Sequence, residues 1–186
     1  MKFMKKSKLF KILLSLALAA CVLAWSNTPV MAFSTVSGNY YWVYKITNKG
    51  TGNLLNVWTT DVNSIYNGCP VTTFDTYCPD GTQWFRMVEM LDINGCFSYN
   101  IMSYNTNYSL NIGYRGEGSN SVMYQNSLDL ETWEIKNSGL GYKIILKSNP
   151  NVWLAENPNT HEVYLTSTNS KYCYWKFTKV GEDTSH

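Results

Sequence analysis

Charge is scarce in this chain: only 15% of its 186 residues are Asp, Glu, Lys or Arg. Histidine is scarcer still, with His161 inside the chain and His186 at its end. Ser-His or Cys-His nucleophilic catalysis therefore has one internal base to draw on. No Cys-x-x-Cys pair exists among the five cysteines, which with a single internal histidine leaves zinc without a ligand set. A Gly-rich phosphate loop between a strand and a helix is missing too. Glu131 and Glu134 flank Trp133, but nothing sets them facing each other across a cleft, as glycoside hydrolysis requires of its two acids. These absences leave little for catalysis, so no enzyme, no cofactor and no metal are expected.

Long apolar runs are lacking except at the start. Lys2, Lys5, Lys6, Lys8 and Lys11 precede a stretch of Ile, Leu, Ala and Val that ends near Trp25, and Ser26-Asn27-Thr28-Pro29 breaks it. Val30-Met31-Ala32 then offers a cut before Phe33, so residues 1–32 read as a cleaved signal peptide and the protein as secreted. The polar, proline-bearing break comes too early for a stable membrane span. Leu18-Ala19-Ala20-Cys21 resembles a bacterial lipobox, and the alternative is a lipoprotein anchored through Cys21. Val22-Leu23-Ala24-Trp25 keeps that segment apolar beyond the cysteine, which speaks against it.

Export removes five of the 15 basic residues and leaves ten against 13 acidic ones, a net charge of −3. The cations are scattered, with no basic face for nucleic acid. The remaining 154 residues fit one domain able to bury about 68–70% of its unfolded surface. Four cysteines remain, Cys69, Cys78, Cys96 and Cys173, which allow three pairings in an oxidising compartment. A local Cys69–Cys78 bridge is expected, because closing a loop of about ten residues stabilises by roughly 2.5–3 kcal/mol. Four buried thiols are the alternative.

What the chain has in abundance is Tyr, Trp, Asn, Ser and Thr, arranged in three similar passages. The first runs Tyr44-Lys45-Ile46, Leu55-Asn56-Val57, Val71, Trp84. The second runs Tyr99-Asn100-Ile101, Leu110-Asn111-Ile112, Val122, Trp133. The third runs Tyr142-Lys143-Ile144, Trp153-Leu154-Ala155, Val163, Trp175. Isoleucine to leucine spans 9, 9 and 10 residues, and valine to tryptophan 13, 11 and 12. A period of about 40–50 residues means one supersecondary unit copied, each copy needing its neighbours to bury an apolar face. Apolar and polar residues alternate over short runs, and turn pairs such as Asn67-Gly68, Asp80-Gly81 and Asn94-Gly95 punctuate them, which is the strand signal. About four strands per repeat, in repeats at about 40–91, 92–138 and 139–180, predict an all-β β-trefoil. Six strands would close a barrel and six would form capping hairpins, with closure removing exposed edges. Residues 33–39 read as a polar lead-in and 181–186 as a tail. The closing tryptophans are expected in the core.

The pattern resembles the ricin B-type lectin family, whose repeats carry a Leu-Asp-Val segment, a Gly-x-x-Val-x-Leu/aromatic segment and a closing Gln-x-Trp. The resemblance covers roughly residues 40–180. Thr82-Gln83-Trp84, Glu131-Thr132-Trp133 and Cys173-Tyr174-Trp175 keep the tryptophan but not a glutamine two residues before it. In that family an acid after the leucine accepts two sugar hydroxyls, and an aromatic ring stacks on the sugar's apolar face. Carried over, the acid position falls on Asn56, Asn111 and Ala155, and the ring position on Phe74, Gln125 and Thr166.

The resemblance implies a carbohydrate-binding module with an altered or weak sugar site, and glycans or glycoconjugates as partners. An amide keeps one acceptor oxygen of a carboxylate but loses the charge-assisted part of the bond. The first repeat is best equipped, with Asn56 and Phe74 at its centre and Tyr66 and Trp58 as further platforms. Asn111, beside Tyr114 and Arg115, is a candidate for a more polar pocket. A turn-stabilising Asn56 and a barrel-rim Phe74 are the structural alternatives. The other functional reading is a protein-binding β-trefoil, such as a toxin-complex component, adhesin or inhibitor, whose sugar sites have decayed.

Overall fold

A computed structural model describes residues 41–78, 81–91, 97–104, 106–112, 118–125 and 131–183. The segment expected to direct export, with Cys21, the expected lead-in, Cys96, Tyr114 and Arg115 lie outside the described residues. Twelve strands are assigned among the described residues. They are β1 (Tyr41–Asn48), β2 (Leu54–Val57), β3 (Cys69–Phe74), β4 (Phe85–Leu91), β5 (Phe97–Ser103), β6 (Tyr108–Ile112), β7 (Ser121–Gln125), β8 (Trp133–Asn137), β9 (Tyr142–Leu146), β10 (Trp153–Glu156), β11 (Val163–Thr166) and β12 (Trp175–Asp183). Two one-turn 3₁₀ segments interrupt them, at Val62–Ser64 and Lys171–Cys173. No described helix is long and apolar enough to cross a membrane.

The first and fourth strands of each repeat form a ring. β1 pairs with β4, β4 with β5, β5 with β8, β8 with β9, β9 with β12, and β12 with β1, all antiparallel. The second and third strands make three hairpins, β2–β3, β6–β7 and β10–β11. Contacts between hairpins repeat cyclically: Thr72 opposite Glu162, Val122 opposite Pro70, and Tyr164 opposite Asn120. Each joins the same two positions of successive lobes, so the hairpins meet around a pseudo-threefold axis. The fold is a β-trefoil. β12 continues into the segment expected as tail, since Gly181, Glu182 and Asp183 pair with Val43, Trp42 and Tyr41.

The repeated Ile and Leu positions converge as expected: Ile46, Leu55, Ile101, Leu110, Ile144 and Leu154 are fully buried. Above them the strand registers set Tyr44 opposite Phe85, Tyr99 opposite Trp133 and Tyr142 opposite Trp175. Trp133 and Trp175 each donate their indole N–H to the carbonyl of the leucine in their own lobe, Leu110 and Leu154, at 3.1 Å. Burying such a ring without that acceptor would leave a costly unpaired donor.

Trp84 is not the third member of this set. It sits one residue before β4, half-buried, with its ring edge-on to Tyr104 at 5.3 Å between centroids. Phe85 takes the core position, fully buried. Alternation explains the displacement: Phe85 and Met87 point inward as Trp133 and Ile135 do, and as Trp175 and Phe177 do. Since adjacent strand residues face opposite sides, Trp84 and Phe85 cannot both be core.

A stability comparison tests this register. Phe85→Ala should cost about 3–5 kcal/mol in urea unfolding, and Trp84→Ala roughly 1 kcal/mol. A larger loss at Trp84 than at Phe85 would refute the assignment.

Candidate functional site

A cleft of about 320 Å³ opens on the first lobe, and its lining is drawn from three segments. Asn56 comes from β2 and Phe74 from the end of β3, while Trp58, Thr59 and Thr60 lie just beyond β2. Cys78 and Thr82 close the far side. Phe74 and Trp58 expose 37% and 59% of their surface, so both offer ring surface to a ligand. Among the described residues no charged side chain lines the cleft. A few directional polar groups around an apolar platform is the usual construction of a small-molecule site, and the volume lies within the usual range of about 300–1,000 Å³.

Local chemistry holds each wall. The Thr82 hydroxyl donates to Asn56 Oδ1 at 3.1 Å, and Asn56 Nδ2 donates to the Val57 carbonyl at 3.1 Å. Asn56 is thus a structural brace and a wall of the cleft together, with its amide still holding one donor and one acceptor in reserve. Backbone bonds from Trp58 to the Pro70 carbonyl and from Val57 to the Thr82 carbonyl fix the start of the following loop. Within that loop Asp61 accepts from Asn63 N at 2.7 Å and starts the short 3₁₀ turn, while buried Ile65 anchors its end.

The corrected register also restores a residue missed in the sequence. Gln83 lies two positions before Phe85, so the first lobe does retain the Gln-x-aromatic closure, with Phe in place of Trp. Fully buried, Gln83 donates from Nε2 to the Thr76 carbonyl at 2.8 Å and accepts from Cys78 N at 2.9 Å. Those two bonds pin the loop that carries Phe74 into the cleft wall. Cys173 holds the same position in the third lobe, its Sγ donating to the Thr168 carbonyl at 3.3 Å. Glu131 holds it in the second, accepting from the Ser148 hydroxyl at 2.8 Å. The spacing Phe85-x-Met87 is the signal that would have found this.

Register moves the second ring position as well. Leu54 faces Phe74 and Trp153 faces Thr166, and the corresponding partner of Ser109 is Tyr124, one residue before Gln125. Ser121 rather than Val122 answers to Val71, and both are buried. The second lobe therefore has an aromatic residue in the stacking place. Its Asn111 is buried, with Oδ1 turned back to accept from Ile112 N at 2.8 Å. Asn111 takes no part in the first-lobe cleft. Tyr66, 57% exposed, does not line that cleft either, being carried outward by the loop before β3.

The third lobe is equipped for cohesion. Ala155 is fully buried and Thr166 nearly so, its hydroxyl accepting from Thr168 N. Glu156 occupies the inward position that Val57 and Ile112 fill elsewhere. Its carboxylate, fully buried, accepts from Thr51 at 2.5 Å and Asn53 at 2.8 Å in the first lobe, with His161 Nδ1 at 3.4 Å. A buried carboxylate is tolerable only when so satisfied. His161 is thereby engaged in a seam between lobes.

The expected Cys69–Cys78 bridge is not formed. Among the described residues Cys69, Cys78 and Cys173 carry no disulfide. Cys69 starts β3 facing the core and donates to the Trp58 carbonyl at 3.3 Å, whereas Cys78 lies in the loop past the far end of that strand. Burial pushes the Cys69 thiol above its ordinary pKa, and the thiol form is the unreactive one.

No protein-family model matches this chain, and no curated protein matches it in sequence. Solved structures do. A designed threefold-symmetric protein, ThreeFoil, superposes with a TM-score of 0.63 at 22% identity, covering 74% of this chain and 99% of its own. The Rhizoctonia solani agglutinin gives 0.64 at 17%, covering 79% and 98%. SeviL, solved with an asialo-GM1 saccharide, gives 0.57 at 14%, covering 76% and 99%. The likeness is one of fold.

Native-state alkylation provides a direct check on the thiols. Cys78 should react readily, while Cys69 and Cys173 should remain protected until the protein unfolds. A Cys78 that resists alkylation until a reductant is added would mean that it is disulfide-bonded.

Proposed function

We propose that the protein is an exported carbohydrate-binding module, not an enzyme, and that it works through the first-lobe cleft. The observation that carries this reading is the union of two half-exposed aromatic rings, Phe74 and Trp58, with the Asn56 amide and threonine hydroxyls in one cleft. Pyranoses present an apolar C–H face for the rings and hydroxyls for the amide. Support also comes from SeviL, which shares the fold and was solved with a saccharide. Residues 1–32 fit export, with lipid anchoring through Cys21 as the alternative.

The site is an altered one. With Asn56 where the resembling family has an acid, charge-assisted bonds to vicinal hydroxyls are lost. Binding at a single cleft is expected to be weak, with a Kd of roughly millimolar order, and multivalent display raises it without new contacts. A protein-binding role is favoured by the third lobe, where Ala155 and Thr166 leave neither acid nor ring.

A glycan array probed with the multimerised protein tests the proposal. Binding to neutral glycans is expected, lost on Phe74→Ala, with stability held within about 1 kcal/mol because Phe74 is exposed. Bound glycan should also slow alkylation of Cys78. No binding to any glycan, monomeric or multimerised, would overturn the reading in favour of a protein partner.

A further inference from the structure

A second cleft, of about 420 Å³, lies where the three hairpins meet on the pseudo-threefold axis. Every lobe contributes to it: Pro70 and Thr72 from β3, Asn120 and Val122 at β7, Thr160 and Glu162 before β11. These include two of the three pairs through which successive hairpins bridge, Thr72 with Glu162 and Val122 with Pro70. Trp58 lines this cleft as well as the first-lobe cleft. One exposed indole therefore forms the wall between two adjoining hollows.

The lining of the axial cleft is chemically distinct from that of its neighbour. Among the described residues its lining holds one carboxylate, Glu162, whose Oε2 accepts from the Thr160 hydroxyl at 3.0 Å. Asn120 adds an exposed amide. Thr72 and Ser121 line the cleft, and their buried hydroxyls find no hydrogen-bond partner among the described residues. Unmet polar capacity in such a place is costly unless a ligand or solvent meets it. Pro70 and Val122 supply the apolar part.

Resting on the carbohydrate reading above, we infer that the axial cleft is a second saccharide subsite, continuous with the first across Trp58. The occupant is a neutral oligosaccharide of at least two units, one in each hollow. Glu162 then supplies the charged acceptor that Asn56 does not. The same carboxylate disfavours uronic or sialic acid at this subsite by repulsion. Saccharide length, rather than terminal sugar alone, sets the affinity.

The test is titration calorimetry on the wild-type protein and two variants. Galactose, glucose and mannose, and neutral oligomers of each up to four units, serve as probes. Affinity for at least one series should rise about tenfold or more from monomer to tetramer. Asn120→Ala with Glu162→Gln, at solvent-exposed positions, should remove that gain and leave monomer binding unchanged. Phe74→Ala should weaken every length. Circular dichroism melting of each variant confirms that it is folded. Monomer binding without a gain in length, or a gain that survives the axial double variant, overturns the subsite and leaves the first-lobe site standing. Failure of every probe at every length overturns both.

Discussion

Closing a barrel requires the last strand to find the first, and here β12 lies along β1 through eight register pairs. That pairing joins residues more than a hundred positions apart, so its loop-closure entropy must be offset by what closure buries. The return is a threefold layer in which Tyr44, Tyr99 and Tyr142 face Phe85, Trp133 and Trp175 above the buried Ile and Leu positions. Each lobe supplies a third of this layer and is incomplete without the other two. Everything else in the molecule hangs from that shared layer.

A scaffold held by its repeated positions leaves the remaining ones open to divergence. The place two residues before the closing aromatic shows how. Gln83, Glu131 and Cys173 differ in chemistry, yet Gln83 and Cys173 both donate to the carbonyl two residues beyond β3 or β11. The inward place of Val57 and Ile112 became Glu156, which ties the third lobe to the first through Thr51 and Asn53. At the places where the resembling family contacts its ligand the lobes separate furthest: Asn56 with Phe74, Asn111 with Tyr124, Ala155 with Thr166. The positions that build the fold are thus distinct from those proposed for recognition, and fold alone does not assign function.

Strand number, barrel closure and the Ile and Leu core were legible in the sequence because period-two alternation and threefold recurrence both point to them. Registers were less legible. An insertion of one residue shifts which side of a strand faces the core, and Trp84 beside Phe85 offers two large aromatics for one place. Size favoured the tryptophan, whereas alternation with Met87 favoured the phenylalanine. The same slip of one placed Gln125 where Tyr124 belongs. Asn56, Phe74 and Trp58 come together at one cleft because the hairpin brings the two sides of the β2–β3 turn together. Thr82 and Gln83 were missed as cleft-building residues, since their bonds to Asn56 and Thr76 arise only once β4 has been placed. Sequence spacing also suggested a Cys69–Cys78 bridge that the length of β3 prevents.

In the proposed site an aromatic pair and an amide stand where a carboxylate would bind more strongly, so recognition there would depend on ring surface more than on charge. Trp58 is central because it borders both hollows. Two-dimensional ¹H–¹⁵N spectroscopy of the indole N–H groups addresses this most directly. Trp133 and Trp175 have their N–H groups buried against Leu110 and Leu154, while Trp58 stands in solvent. On titration with a bound neutral glycan, the Trp58 indole signal should move and those of Trp133 and Trp175 should stay. A Trp58 signal that stays fixed while the glycan binds would place the carbohydrate site elsewhere on the molecule.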